Sequence, residues 1–192
     1  MALEHAILVS LRERAASGSE LTRRFDRSFG FFWAATHQQI YRTLGRMESD
    51  GWVTSAVVPQ QGKPDTKVYD VSELGAKTLA EWLVTPGAHQ TPRSDLGVKL
   101  RGAAYADDRE AILDLVRHEI AEHEGRLAIY LAACAHDYPD PAALTDADLD
   151  RYLVLRGGIR LETGQIEWLN EYLTAWDSRR AASPEETPKE PS

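Results

Sequence analysis

Two long apolar seams run through the second half of the 192-residue chain and leave little choice of fold there. From Asp107 to about His136, the residues Leu113, Val116, Ile120, His123, Leu127, Tyr130 and Cys134 recur at alternating spacings of three and four. From Leu149 to Trp176 the same rule picks out Tyr152, Leu155, Ile159, Glu162, Ile166, Leu169, Leu173 and Trp176. This spacing keeps one stripe of a helix against a partner helix over many turns, and no strand can present it. The seams therefore predict two long helices, separated by Pro139 and Pro141. Leu96 to Tyr105 supplies a shorter apolar helical piece, and no internal repeat is evident.

Each seam has one polar interruption, His123 in the first and Glu162 in the second. If both are buried, a hydrogen bond between them or to another polar group is required, because an unpaired buried charge is costly. The alternative is a slight rotation of each helix that takes both groups to water. The second helix also carries Leu153, Leu161, Trp168 and Tyr172 off its seam, so it needs partners on two faces. One partner is the first long helix, and the other is expected to be the same surface of a second copy. The expected homodimer interface comprises Tyr152, Leu155, Ile159, Leu161, Trp168, Leu169, Tyr172 and Trp176, with a self-contained three-helix packing as the alternative.

The first half has a different texture. Leu3, Ile7, Leu8 and Leu11 stand at helical spacing; Ser17-Gly18-Ser19 breaks the pattern and offers capping hydroxyls; Leu21, Phe25 and Phe29 then mark a second helix. Phe31-Phe32-Trp33 is too apolar to lie in water and must be tied into a core. A third helix runs from Ala35 or Thr36 to about Asp50, where Gly51 supplies a stop. Its inward stripe is Ile40, Leu44 and Met47, and its opposite face is Gln38, Arg42, Gly45 and Ser49, flanked by Gln39, Tyr41 and Arg46. Trp52 to Val58 and Lys67 to Val71 read as the strands of a β-hairpin around a polar tip, and Ser72 caps a fourth helix through Leu83.

Charge follows the same division. Residues 1–84 carry ten basic and ten acidic side chains, whereas residues 85–192 carry twelve and twenty and so hold the whole net charge of −8. The expected organisation is a module at 1–84, a Pro- and Gly-containing linker at 85–94, a helical domain at 95–177 and a flexible tail at 178–192. An apolar fraction of 43% excludes a disordered chain, and a single cysteine, Cys134, excludes an intrachain disulfide scaffold. No run approaches the roughly 18 apolar residues of a membrane span, and Met-Ala-Leu-Glu-His lacks the order of a signal peptide. The expected location is the cytoplasm, with no membrane partner.

Chemical motifs are sparse. His118 and His123 are five apart, about 140° around a helix, and cannot share a metal as an i, i+4 pair does. No phosphate loop, nucleophile elbow or pair of catalytic carboxylates is present, so neither an enzyme, a metal site nor a cofactor is expected.

Three helices followed by a hairpin is the order of a winged helix-turn-helix, in which the third helix enters the major groove of double-stranded DNA. Gln38 can pair with an adenine edge and Arg42 with guanine, Gly45 would admit the duplex backbone, and Lys63 and Lys67 on the hairpin would meet phosphates. The fold class is therefore mainly α with a small β-hairpin: a winged helix-turn-helix domain followed by an α-helical dimerisation domain.

Ser17-Gly18, Phe31-Phe32-Trp33, Gln39-Ile40-Tyr41 with Leu44, Glu48, Gly51-Trp52-Val53, Gly62-Lys63-Pro64-Asp65 with Lys67 and Tyr69, and Gly75 resemble the PadR family of transcriptional regulators over residues 3–84. Lys99-Leu100, Gly158 and Trp168-Leu169 resemble the carboxy-terminal domain of the branch related to virulence activators. The resemblance implies a homodimeric, cytoplasmic regulator of transcription, commonly a repressor, released by a small aromatic or drug-like effector. It also implies DNA contacts at Thr36, His37, Gln38, Tyr41 and Arg42, and on the wing at Gly62, Lys63 and Lys67. An aromatic effector could stack on Phe31, Phe32 and Trp33 or on Trp168, Tyr172 and Trp176, although core packing explains the same residues and is the favoured reading. A helical interaction adaptor that keeps a winged helix without DNA binding is the alternative function.

Overall fold

The computed structural model describes residues 2–26, 35–60, 63–87 and 94–182. The chain forms two compact units, Met1–Gln90 and Thr91–Ser192.

In the first unit α1 (Ala2–Glu13), α2 (Gly18–Arg24) and α3 (His37–Ser49) pack around one core. The spacing of the apolar residues explains the packing: Ile7, Leu8 and Leu11 of α1, Leu21 of α2 and Ile40, Leu44 and Met47 of α3 are all at most 1% exposed. Thr43 joins the stripe of α3 as a buried residue. Capping sets the helix starts, since the Ser17 hydroxyl accepts from the Glu20 amide at 3.2 Å. The Phe31-Phe32-Trp33 cluster lies outside the described residues.

Strands β2 (Val53–Gln60) and β3 (Lys63–Val71) form the hairpin, and its register runs from Val53 opposite Val71 to Gln60 opposite Lys63. The register shifts between Val58 and Gln60, where Pro59 has no N–H to give to a ladder. A third strand, β1 (Ala16–Ser17), pairs antiparallel with β3, Ala16 opposite Tyr69, giving the order β1-β3-β2. This strand is an addition to the expected hairpin; two residues are too short to display alternation. Helix α4 (Glu73–Leu83) begins at the Ser72 cap and passes so near the Trp52 carbonyl that a Cβ on Gly75 would overlap it. Trp82 of α4 stacks on the buried His5 ring of α1 at 4.3 Å between centroids.

The second unit contains α5 (Asp95–Gly102), a 3-10 turn over Ala103–Tyr105, α6 (Arg109–Asp137) and α7 (Asp146–Ala182). Helices α6 and α7 are antiparallel: Glu110 pairs with Arg180, His123 with Glu162, and Tyr138 with Tyr152. Leu100, Val116, Ile120 and Leu169 form the buried centre, with Ile112, Ile166 and Leu173 packed against it. Helix α7 continues to Ala182, beyond the expected end at 177, because Arg180 bonds Glu110 and Arg179 lies over the Trp176 ring. Among the described residues no helix is long and apolar enough to cross a membrane.

The two polar seam residues meet. His123 Nδ1 lies 2.5 Å from Glu162 Oε2, with both side chains mostly buried, and Arg126 Nε reaches both carboxylate oxygens at 3.3 Å. The rotation of both groups to water, left open by the sequence, does not occur.

Candidate nucleic-acid interface

Helix α3 is oriented from both ends. At its start the Thr36 hydroxyl accepts from the Gln39 amide at 3.2 Å, while the Gln39 side-chain oxygen accepts from the Thr36 amide at 2.8 Å. This capping box explains the abrupt onset of the helix and commits Thr36 and Gln39 to its first turn. The buried stripe then fixes the rotation of the helix, and Gln38, Arg42, Gly45 and Ser49 are exposed on the other side. Gln38, Gln39 and Arg42 line a common depression. Gly45 has nothing within 4 Å of where a Cβ would stand, so the face is open there.

The flanking residues are less free than the helix alone implies. His37 Nε2 is 3.7 Å from Asp26 Oδ2, with both side chains exposed. Arg46 forms an ion pair with Glu4 of α1. Lys67, expected to meet phosphate, donates from Nζ to Glu48 Oε2 at 2.7 Å and lies 5.2 Å from the centroid of the Tyr69 ring. Hydrogen bonds from Lys67 and Ser55 hold the Glu48 carboxyl below its ordinary pKa, and the same bond to Glu48 raises that of Lys67. Arg42 has no acidic partner among the described residues. Lys63 opens β3 opposite Gln60, and Gly62 lies outside the described residues.

The exposed face of α3 is legible in the sequence, whereas the placement of Glu4, Asp26 and Glu48 around it is not. A helical wheel ranks residues on one helix, and Glu4 and Asp26 arrive from other elements. Glu48 sits on α3 itself, but its ties to Ser55 and Lys67 depend on where the hairpin folds back.

The eight residues expected at a dimer surface divide. Leu169 is fully buried and Leu155 is 7% exposed within the chain, so neither offers surface to a second copy; this corrects the expectation, because α7 uses that side for its own core. Tyr152 packs on Tyr138, Ile159 is half-buried, Tyr172 joins the core, and Trp176 is covered by the Arg109 guanidinium at 4.1 Å. Leu161 and Trp168 face outward, together with Leu153 and Val154. The late aromatic residues thus lie in different surroundings, and Trp33 lies outside the described residues.

A capped three-helix core, a polar third helix and a three-stranded sheet define the amino-terminal unit as a winged-helix domain; with its helical second unit, the chain has the build of a transcriptional regulator. Residues 7–81 match the model of the transcriptional regulator PadR-like family, and residues 92–177 match that of the virulence activator alpha C-terminal domain. The chain is 49% identical over 190 residues to the probable transcriptional regulator Rv1176c of Mycobacterium tuberculosis, covering 94% of this chain and 100% of that one. It is 31% identical to the solved virulence activator AphA of Vibrio cholerae, with a TM-score of 0.77 over 92% of this chain and 99% of that chain. It is 28% identical over 185 residues to the negative transcriptional regulator PadR of Bacillus subtilis, covering 91% of this chain and 97% of that one. That regulator has been solved in complex with operator DNA (TM-score 0.78; 91% of this chain, 99% of that chain) and with p-coumaric acid (TM-score 0.75; 92% and 99%). The chain belongs to the PadR-like family of transcriptional regulators, which are not enzymes.

Proposed function

We propose that this regulator is a cytoplasmic homodimeric repressor that binds operator DNA through α3 and the wing and is released by a small aromatic effector. The observation that carries the reading is the exposed run Gln38, Tyr41 and Arg42 on a helix whose other side is locked into the core. Gln38 and Arg42 have the donors and acceptors to read base edges, His37 and Tyr41 flank them, and Gly62 and Lys63 would meet the backbone of the duplex. The complex of the Bacillus subtilis relative with operator DNA supports this assignment, as its complex with p-coumaric acid supports the effector class.

Residues 1–84 would form the DNA-binding module and 95–177 the dimerisation domain. Leu153, Val154, Leu161 and Trp168 leave an apolar face on α7, while Gly157 and Gly164 have open space above them, as a second helix would require. The test is binding to a duplex from the chain's own upstream region. Tight, salt-sensitive binding that Arg42→Ala weakens by about 1–3 kcal/mol is expected. Binding that ignores both salt and Arg42 would instead favour the adaptor.

A further inference from the structure

We infer that Glu48 is a specificity-determining positioning residue that withholds the Lys67 charge from phosphate and fastens both strands of the wing to the recognition helix. The inference rests on the DNA-binding reading above and goes beyond it, because it assigns opposite roles to two exposed cations of the reading head.

One carboxylate joins three elements. Glu48 stands in the last turn of α3; its Oε1 accepts from the Ser55 hydroxyl of β2 at 2.5 Å, and its Oε2 accepts from Lys67 Nζ of β3 at 2.7 Å. Ser55 pairs with Tyr69 across the hairpin and Val57 pairs with Lys67, so Ser55, Tyr69 and Lys67 share one face of the hairpin, on pairs two residues apart. The Tyr69 ring lies under the Lys67 ammonium on the same side. The carboxylate thus uses both oxygens to hold the wing in one place before any duplex arrives, which lowers the ordering cost of binding.

The electrostatic consequence follows from charge alone. Sequence-independent affinity for DNA grows with the number of phosphates neutralised, and a lysine already neutralised contributes little. Moving Lys67 to a phosphate would strip Glu48 of its counter-charge beside a polyanion. Arg46 is engaged in the same manner by Glu4, which leaves Arg42, on the base-reading face of α3, without an acidic partner among the described residues. Of Arg42, Arg46 and Lys67, the cation left uncommitted is therefore the one on the base-reading face, and the two beside it are held back by carboxylates.

The experiment compares wild type with Glu48→Gln on the upstream duplex and on a scrambled duplex of equal composition, across a salt series. Glu48→Gln is expected to tighten scrambled-duplex binding about two- to fivefold and to steepen the log–log salt slope by about 0.9 for each wing that gains a phosphate. The preference for the upstream duplex should fall. In a Lys67→Met background the Glu48 substitution should no longer alter the slope. An unchanged slope in a folded Glu48→Gln protein, or the same steepening without Lys67, overturns the inference. Should Glu48→Gln fail to fold, Lys67→Gln decides: weaker binding at constant slope supports it, and a slope reduced by about 0.9 per wing overturns it. A wild-type protein that does not distinguish the two duplexes defeats the DNA-binding reading itself, and this inference with it.

Discussion

The Tyr41 ring lies directly over Gly18, so that a side chain at Gly18 would overlap it. The first residue of α2 and the exposed face of α3 are thereby in register, and a glycine in a helix start sets the position of an aromatic ring on the proposed DNA-facing surface. Tyr41 is 50% exposed and can swing away, so the cost of crowding falls on the surface rather than on the core. Gly18→Ala should leave unfolding stability within about 1 kcal/mol of wild type while lowering affinity for the upstream duplex roughly fivefold, about 1 kcal/mol. Thermal melting and a binding titration on the same sample check both halves.

Thr36 and Gln38 are two residues apart and should behave oppositely. Thr36→Ala removes the cap of α3 and should cost about 1 kcal/mol of stability. Gln38→Ala touches no internal bond, so stability should stay within about 0.5 kcal/mol while discrimination between upstream and scrambled duplexes drops. Equal loss of stability in the two variants would contradict the capping geometry.

Gly75→Ala tests the approach of α4 to the sheet. The added methyl meets backbone, the Trp52 carbonyl, which cannot rotate aside. Overpacking of this kind costs about 1–3 kcal/mol, or roughly 4–8 °C in Tm per kcal/mol for a domain of this size. A melt of the isolated change against wild type reads it directly.

Glu20 should mark the acid limb of stability. Hydrogen bonds from Arg24 first, and from Arg14, hold its carboxyl below the ordinary value of 4.5. Because the folded form has the lower pKa, the stabilisation is complete above about pH 4.5 and is lost as pH falls through the folded value. The stability gap between wild type and Glu20→Gln should therefore be widest near neutral pH and close on acidification. A gap that stays constant from pH 3 to 7 would exclude this contribution.

Glu162 holds the polar centre of the second unit. With its carboxylate removed, Arg126 Nε loses both of its acceptors, and His123 Nδ1 is left facing Arg126 Nη2 alone at 2.8 Å. Glu162→Ala should cost about 1–3 kcal/mol, whereas Glu162→Gln, which retains an acceptor, should cost less. Chemical denaturation of the three proteins gives the order; identical midpoints would show that the cluster contributes nothing.

Much of this architecture was legible in the order of residues. Ile40, Leu44 and Met47 determined which side of α3 is buried, and Ser17 and Ser72 marked helix starts, because periodicity and capping act over one or two turns. The same local rules located both long helices and the exposed face of Gln38 and Arg42. What tertiary structure alone decided was partnership. Lys67 finds Glu48, Arg46 finds Glu4, His123 finds Glu162 and Ala16 finds Tyr69 only after distant segments meet. Likewise Leu155 and Leu169 looked like surface for a second copy until α6 and α7 had settled their mutual rotation. A sequence pattern states which side of an element avoids water; which charge neutralises which depends on distances of a few ångströms between elements, and those exist only in the folded chain.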